Sequence, residues 1–375
     1  MIGDLAVNLE KSSVDLTIAA RQMDIGRRSI RVSWIVWLGF LVLVLLILAF
    51  DLGFFSRQSK TLTAKAALFR TGVYFVLAIF FTGFVYFAYQ YHWFDLGVGG
   101  DPNDTSLPDT GWEAAVQFFG GYLLEQSLSV DNIFVIALIL SYFKVPSAYQ
   151  HRVLLWGILG AVVMRGVMIA AGVALIKYFE FMTYVFGAFL IFTAMKMLFT
   201  GEDEEVDFDK NLLVRMVRRL FRMHPEFVED RFFTRIDSKL AMTPLLLALV
   251  VVETTDLVFA VDSIPAVIAI THDPFLVFTS NVFAILGLRS LYFALADLLG
   301  RFHLLKYSLV IILAFVGVKM LLEKLLVSHD ADVKSIVNLA SFAVIALTLV
   351  GGVVASFAFP EKHDSSDKAA EADVH

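Results

Sequence analysis

Five acidic residues lie within long apolar stretches of the sequence, where carboxylates are uncommon. Glu125 is followed six residues later by Asp131, and Glu253 is followed by Asp256 and Asp262. An ionised carboxylate in the middle of a transmembrane helix costs at least ~2.5–3.5 kcal/mol on insertion scales, so such residues usually face the protein interior and mark ion or proton pathways. The five positions predict a site that holds a cation or carries protons inside a membrane.

Other side chains beside these acids also offer oxygen atoms. Ser129 and Asn132 flank Asp131, and Ser263 follows Asp262. Together with the carboxylates they form an all-oxygen donor set, which suits Mn²⁺, Mg²⁺ or Ca²⁺. The chain has no cysteine, and its histidines fall in loops or near the ends of the apolar stretches. A zinc or copper site and thiol chemistry are therefore disfavoured.

Two arginines in the same apolar stretches could neutralise part of this charge. If Arg165 and Arg289 each paired with one acid, three of the five acids would keep their negative charge. A cation or protons would then have to visit the site. Asp51, at the end of the first apolar stretch, and Lys196 and Lys319 are further candidates for a supporting role.

The spacing of the acids constrains how they can meet. Residues six apart on a regular helix differ in direction by about 120°, so Glu125 and Asp131 would not share a face. Either the site is lined from two helix faces, or the helices are interrupted near the acids. Pro265, three residues after Asp262, favours an interruption because proline removes a helical hydrogen bond.

The elements that position these residues are membrane-spanning helices. Of the 375 residues, 58% are hydrophobic and only 18% are charged, whereas soluble domains are about 45–50% apolar and about 25% charged. A formal net charge of −6 argues against nucleic acid as a partner. Apolar runs long enough to cross a bilayer, about 20 residues each, predict an all-α polytopic membrane protein with about nine transmembrane helices. The runs are about 33–50, 73–90, 113–142, 153–176, 181–199, 244–270, 275–298, 305–326 and 335–359.

The order of polar residues indicates an internal repeat. An acid, an Asp six residues later, an Arg and a Lys-Met-Leu triplet occur in that order in residues 113–199 and again in residues 244–326. Each copy contains three predicted helices, so the second copy would be inverted in the membrane. Inverted repeats are typical of secondary transporters, which place the ion site at the midplane between the copies.

Basic residues in the loops predict the orientation. Lys and Arg are frequent in loops 51–72 and 200–243, whereas loop 91–112 has none and carries four Asp. By the positive-inside rule, loop 200–243 and the C-terminus are cytoplasmic and the N-terminus is outside. The predicted parts are an N-terminal extension (1–31), a first membrane region (32–199), a cytoplasmic loop with an interfacial helix (200–243), a second membrane region (244–359) and a disordered tail (360–375).

Three motifs in these segments resemble the TerC/Alx family of bacterial integral membrane proteins. They are Gly121–Asn132, Val252–Ala266 and the stretch 279–289. The resemblance implies about nine spans in the bacterial inner membrane and export of Mn²⁺. With the orientation predicted from the loops, the N-terminus would then lie in the periplasm. The family was named for tellurite resistance. The motif positions implicated in the site are Glu125, Asp131, Asn132, Asp256 and Asp262, with Glu253 and Asp51 as second choices.

We expect a transporter of divalent cations rather than an enzyme. It would export Mn²⁺ as its substrate, with protons as counter-ions, in contact with the lipid bilayer and without a permanent cofactor; the sequence leaves its oligomeric state open. One alternative is a non-transporting scaffold for tellurite or envelope stress or for metalation. Another is an intramembrane aspartyl protease in which Asp131 and Asp262 share a proton; the Gly-x-Gly-Asp motif is absent at both positions.

Overall fold

A computed structural model describes residues 34–51, 64–98, 107–179, 181–199, 224, 226–236, 239–295, 305–326 and 331–358. Nine long helices account for most of these residues. They are α1 (Trp34–Asp51), α2 (Ala64–Gln90), α3 (Gly111–Tyr142), α4 (Ser147–Tyr178), α5 (Met182–Phe199), α6 (Pro244–Ile268), α7 (Pro274–Leu295), α8 (Leu305–Leu326) and α9 (Ala331–Ala358). The predicted extension 1–31, the tail 360–375 and the interfacial helix within 200–223 lie outside the described residues.

The helices confirm the prediction of an all-α polytopic membrane protein. Eight of them are long and apolar enough to cross a membrane, and α8 contains a shorter apolar helix, Tyr307–Leu322. The largest difference from the predicted boundaries is at α2, which begins at Ala64 rather than near residue 73. Lys65 and Arg70 end the apolar run, but both residue types are good helix formers, so the helix continues through them.

Of the two alternatives left by the spacing of the acids, an interruption of the helices is wrong. The α3 helix is continuous from Gly111 to Tyr142, and α6 contains Pro265 without a break. Pro265 lies in the last turn of α6, where the missing N–H removes one hydrogen bond and little helix remains to be kinked. The Ala269 N–H bonds the Pro265 carbonyl at 3.0 Å and completes that turn.

The α7 helix is the centre of the bundle. In its most apolar window 94% of the residues are buried, against at most 53% in the other spans. It packs against α2, α3 and α4. Phe283 of α7 packs against Phe81 of α2 in a tilted arrangement, with the ring centroids 4.6 Å apart, and it also contacts Phe40 of α1 and Phe118 of α3. The α1, α2, α3 and α4 helices therefore pack around α7 and fix its position.

Helix directions follow from the contacts between pairs. Gly157 and Arg165 of α4 meet Val252 and Asp256 of α6 in the same order, so these two helices are parallel. Parallel packing is required of helices two crossings apart, because consecutive crossings alternate. The α3–α7 and α4–α6 contacts are both extensive, as a repeat of three helices would require; its inversion stays a prediction.

The α5 and α8 helices approach each other at two glycines. A Cβ atom on Gly317 would lie 2.8 Å from the Gly187 carbonyl oxygen, and a Cβ on Gly187 would lie 3.0 Å from the Gly317 carbonyl oxygen. Any larger side chain would separate the two backbones. These helices are the third members of the two predicted repeats, and they make the most extensive helix–helix contact among the described residues.

Polar contacts hold α7 at its N-terminal end. The Tyr89 hydroxyl at the end of α2 donates to the Asp273 carboxylate at 2.8 Å. The other Asp273 oxygen accepts from the backbone N–H groups of Phe275 and Leu276 and so caps the helix. Burial raises the pKa of Asp273, and these hydrogen bonds oppose the increase. The capping carboxylate fixes the start of α7 against α2.

A small β-hairpin lies at the opposite end of the bundle, within the predicted cytoplasmic loop. Strands β1 (Phe233–Ile236) and β2 (Lys239–Met242) pair antiparallel, with Phe233 opposite Met242. Arg152 near the start of α4 forms an ion pair with Asp230, which precedes β1. This hairpin was not expected from the sequence.

Candidate functional site

The guanidinium of Arg165 is the centre of a polar cluster inside the helix bundle. Arg165 lies on α4 and is 0% exposed. Its Nη1 forms an ion pair with Glu125 of α3. Its Nη2 and Nε contact the two carboxylate oxygens of Asp256 of α6 at 3.0 and 3.3 Å. This forked geometry is typical of strong arginine–carboxylate pairs, and it connects three helices through one side chain.

Two further residues complete the surroundings of the guanidinium. Nη1 also donates to Asn281 Oδ1 of α7 at 2.8 Å and lies 3.5 Å from Ser263 Oγ. Asp256 and Ser263 are seven residues apart and therefore share one face of α6. The cluster thus unites α3, α4, α6 and α7 at the centre of the bundle.

Several buried polar atoms around the cluster have no hydrogen-bond partner among the described residues. Buried polar groups are nearly always paired, and each exception needs an explanation such as a ligand, an ion or water. The unpartnered atoms include oxygen atoms of two carboxylates and of a serine, and these oxygens could coordinate a cation. The atoms are Glu125 Oε2, Glu253 Oε2, Ser129 Oγ, Asn132 Nδ2 and Asn281 Nδ2.

Glu253 lies three residues before Asp256 on α6. Its side chain packs against α4 at Gly160. Its carboxylate occupies the place where a Cβ atom of Gly160 would be. Asp256 is close enough for its charge to act on the Glu253 carboxyl. Glycine at position 160 is therefore what allows the Glu253 carboxylate to approach α4.

The cluster contains more negative than positive charge. Glu125 and Asp256 pair with the guanidinium of Arg165, and a third carboxylate, Glu253, is close to Asp256. When all are ionised, two negative charges are uncompensated in a region where charge is costly. Within the described part of the chain, no three His, Cys, Asp or Glu side chains are grouped closely enough to hold a metal ion, and the guanidinium of Arg165 contacts both Glu125 and Asp256.

Asp51 and Arg289 form a second buried ion pair. Arg289 Nη1 of α7 lies 2.9 Å from Asp51 Oδ2 at the end of α1, and both side chains are at most 10% exposed. Tyr74 of α2 lies close enough to Asp51 for the two side chains to interact. Arg289 thus neutralises an acid outside the Arg165 cluster.

The remaining predicted site residues lie elsewhere. Asp262 faces α5, where its carboxylate accepts a hydrogen bond from Thr193 at 3.2 Å, with Lys196 near enough for its charge to act on Asp262. Lys319 of α8 lines a small crevice between α3, α8 and α9. Asp131 is part of α3, but its side chain lies outside the described residues. The structure brings together Glu125, Arg165, Asp256 and Ser263, and it does not bring Asp262 to them.

Asn281 and Gly160 belong to this site but were not selected from the sequence. Asn281 is the last of three consecutive polar residues in an apolar run. Thr279 and Ser280 direct their hydroxyls to carbonyl oxygens of the preceding turn, at 2.7 and 3.1 Å, so Asn281 is the residue of the three that reaches a neighbouring helix. An amide in an apolar stretch was the signal that could have identified it.

Comparison with known proteins shows the family. The model of the integral membrane protein TerC family matches residues 110–364. A membrane protein of Myxococcus xanthus, STKORF319, is 44% identical over 284 residues, which cover 76% of this chain and 82% of that one. The putative membrane-bound redox modulator Alx of Escherichia coli K12 is 44% identical over 293 residues, 77% of this chain and 86% of that one. A membrane protein of Rickettsia felis is 35% identical over 321 residues, 85% and 96% of the two chains. No solved structure matches the chain. The chain belongs to the TerC family of integral membrane proteins.

Proposed function

We propose that this protein transports divalent cations across the bacterial inner membrane and that its substrate is Mn²⁺, exported in exchange for protons. The proposed site consists of Glu125, Glu253 and Asp256 with the neighbouring Ser and Asn side chains. By the positive-inside rule we also propose that loop 200–243 is cytoplasmic and that the N-terminus is periplasmic.

The observation that carries this proposal is the uncompensated charge around Arg165. Arg165 contacts Glu125 and Asp256, and Glu253 is close to Asp256, so these three carboxylates, when all are ionised, carry two negative charges more than the guanidinium neutralises. A doubly charged cation would neutralise them, and so would two protons. Because the donors are oxygen atoms, Mn²⁺, Mg²⁺ and Ca²⁺ suit the site better than softer ions do.

In this scheme Arg165 takes the place of the ion when no ion is bound. Its guanidinium lies between Glu125 and Asp256 and keeps both carboxylates paired in a region without bulk water. A divalent ion entering the cluster would compete with the guanidinium for the same oxygen atoms. The unpartnered Oε2 atoms of Glu125 and Glu253 are the first ligands available to it.

Export of a dication needs a source of free energy. A doubly charged ion leaving a negative cytoplasm moves against about 4.6 kcal/mol per 100 mV. Protonation of two carboxylates after the ion leaves would allow two protons to return for each ion. The cycle would then be electroneutral and driven by the proton gradient.

The Alx relatives are named as putative redox modulators, and in this chain a redox role could not depend on thiols. The chain has no cysteine, so it forms no disulfides of its own. A transported redox-active metal ion such as manganese is one way in which such a protein could influence redox chemistry.

The test is transport by the purified full-length protein in liposomes that contain a metal-sensitive dye. We expect Mn²⁺ to be transported and Zn²⁺ to be transported poorly, with Mg²⁺ and Ca²⁺ as the comparison ions. A pH gradient of one unit should raise the Mn²⁺ rate severalfold. Mn²⁺ flux equal to that of protein-free liposomes would contradict the proposal and favour a non-transporting scaffold.

A paired glycine substitution tests the position of Glu253. In Gly160→Ala the new methyl group would occupy the place of the Glu253 carboxylate and displace it, whereas in Gly157→Ala the methyl group would lie 3.6 Å from Val252, an ordinary contact. We expect Gly160→Ala to lower the Mn²⁺ rate by about tenfold, the size of effect seen when support of a metal ligand is lost. Gly157→Ala should transport like the wild type, and equal rates for the two variants would show that Glu253 has no part in transport.

A further inference from the structure

A cavity opens at the end of the bundle that carries the β-hairpin, far along α3 from the Arg165 cluster. Its volume is about 590 Å³, and it lies between the last turns of α3, the connection to α4 and the end of α7. Leu140 and Val145 form a buried floor, whereas Phe134 and Leu138 are 46% and 40% exposed along one face of α3. One wall of the cavity therefore continues onto the surface of a membrane-spanning helix.

Lys144 lies at the polar end of this cavity in a backbone conformation that favours glycine. Its φ is 51°. The Lys144 and Val145 N–H groups close the end of α3 onto the Ser141 and Leu140 carbonyls, both at 2.9 Å, which is the helix-terminating motif that usually has glycine at this position. A lysine in this conformation has steric strain between its Cβ atom and the backbone, which a glycine would not have. Its ammonium group is exposed and has no acidic partner among the described side chains.

The start of α4 adds to the positive potential beside Lys144. The helix begins after Pro146, with no side chain capping its first N–H groups and no acidic residue in its first turn. The N-terminus of a helix attracts anions. Gln150, whose amide oxygen accepts from Tyr292 at 3.2 Å and whose amide nitrogen donates to the Val145 carbonyl, holds the floor of the cavity in place. The cavity thus combines a cationic end with an apolar wall.

We infer that this cavity binds an anionic phospholipid. The phosphate would lie at Lys144 and the start of α4, and an acyl chain would extend along Phe134 and Leu138 toward the middle of the bilayer. Charge complementarity and the continuity of the cavity with the lipid-facing surface of α3 favour a lipid over a soluble anion, which would leave the apolar wall uncovered. This inference does not depend on the transport proposal.

The test uses the full chain in detergent with added lipid, and native mass spectrometry counts the lipids retained. We expect phosphatidylglycerol to be retained in preference to phosphatidylcholine. Lys144→Gly should reduce that preference about fivefold, the effect of one basic residue beside an anionic lipid. Its unfolding temperature should not fall, because glycine suits the backbone at this position. Lys144→Arg should keep the preference.

A second variant tests the apolar wall without changing charge. Ala137→Trp would fill the cavity and should reduce retention of both lipids, whether or not Lys144→Gly folds well. Equal retention of the two lipids by the wild type, or unchanged retention by Ala137→Trp, would overturn the inference. Displacement of phosphatidylglycerol by 1 mM inorganic phosphate would overturn it as well, because it would show that the occupant is a free anion.

Discussion

Arg165→Gln is expected to destabilise the folded protein by about 3–5 kcal/mol, the usual cost of leaving a buried charge without its partner. The substitution removes the guanidinium from between Glu125 and Asp256 and leaves three carboxylates near one another inside the bundle. Unfolding of the purified protein in detergent, followed by circular dichroism against denaturant, would measure the loss.

Arg152→Gln is the matched control on the same helix. Arg152 also pairs with an aspartate, Asp230, but the two side chains are 33% and 48% exposed, and exposed pairs contribute at most about 1 kcal/mol. The triple variant Glu125→Gln, Arg165→Gln, Asp256→Asn should recover much of the stability, because no charge is then left unpaired within that trio. If Arg165→Gln and Arg152→Gln had the same free energy of unfolding, the buried Arg165 ion pairs would stabilise the fold no more than an exposed pair does.

Asp256→Asn is expected to lower the Mn²⁺ transport rate at least ~100-fold in the liposome assay, since losses of 10–100-fold follow the removal of mere supporting groups around a metal. The substitution keeps the shape of the side chain but removes one of the negative charges that the bound ion would neutralise. Glu125→Gln should have a similar effect. Asp230→Asn, which removes a carboxylate at the surface, should leave the rate unchanged.

The Asp256→Asn variant should remain folded. Arg165 would still pair with Glu125 and would still donate to Asn281, so the guanidinium would not be left without a partner. A folded Asp256→Asn protein that transports Mn²⁺ at the wild-type rate would contradict the proposed site. A rate unchanged for Glu125→Gln alone would restrict the site to α6.

The helices could be predicted from the sequence because an apolar run of about 20 residues is the length that a membrane-spanning helix requires. Helical spacing also indicated that acids six residues apart do not share a face. In the structure Asp256 faces Arg165 and Asp262 faces Thr193 of α5, so the separation arises from a continuous helix. Pro265 suggested a break, but its place in the last turn of α6 made the missing hydrogen bond tolerable.

The pairing of charges could not be predicted from the sequence. Arg289 pairs with Asp51, 238 residues away, and Arg165 serves two acids on different helices. Both arrangements depend on which helix faces meet, and packing of apolar surfaces decides that. The approach of Glu253 to Gly160 was equally hidden, since a glycine in an apolar run gives no sign of what lies opposite it.

The α7 helix is attached to the first two helices at both ends, through Tyr89–Asp273 at its start and Asp51–Arg289 about 24 Å further along, at a rise of about 1.5 Å per residue. Two contacts at separate points along α7 resist tilting of the helix more strongly than a single contact would. Rotation of α7 relative to α1 and α2 would break a hydrogen bond at one end or a buried ion pair at the other. These three helices should therefore move as one block.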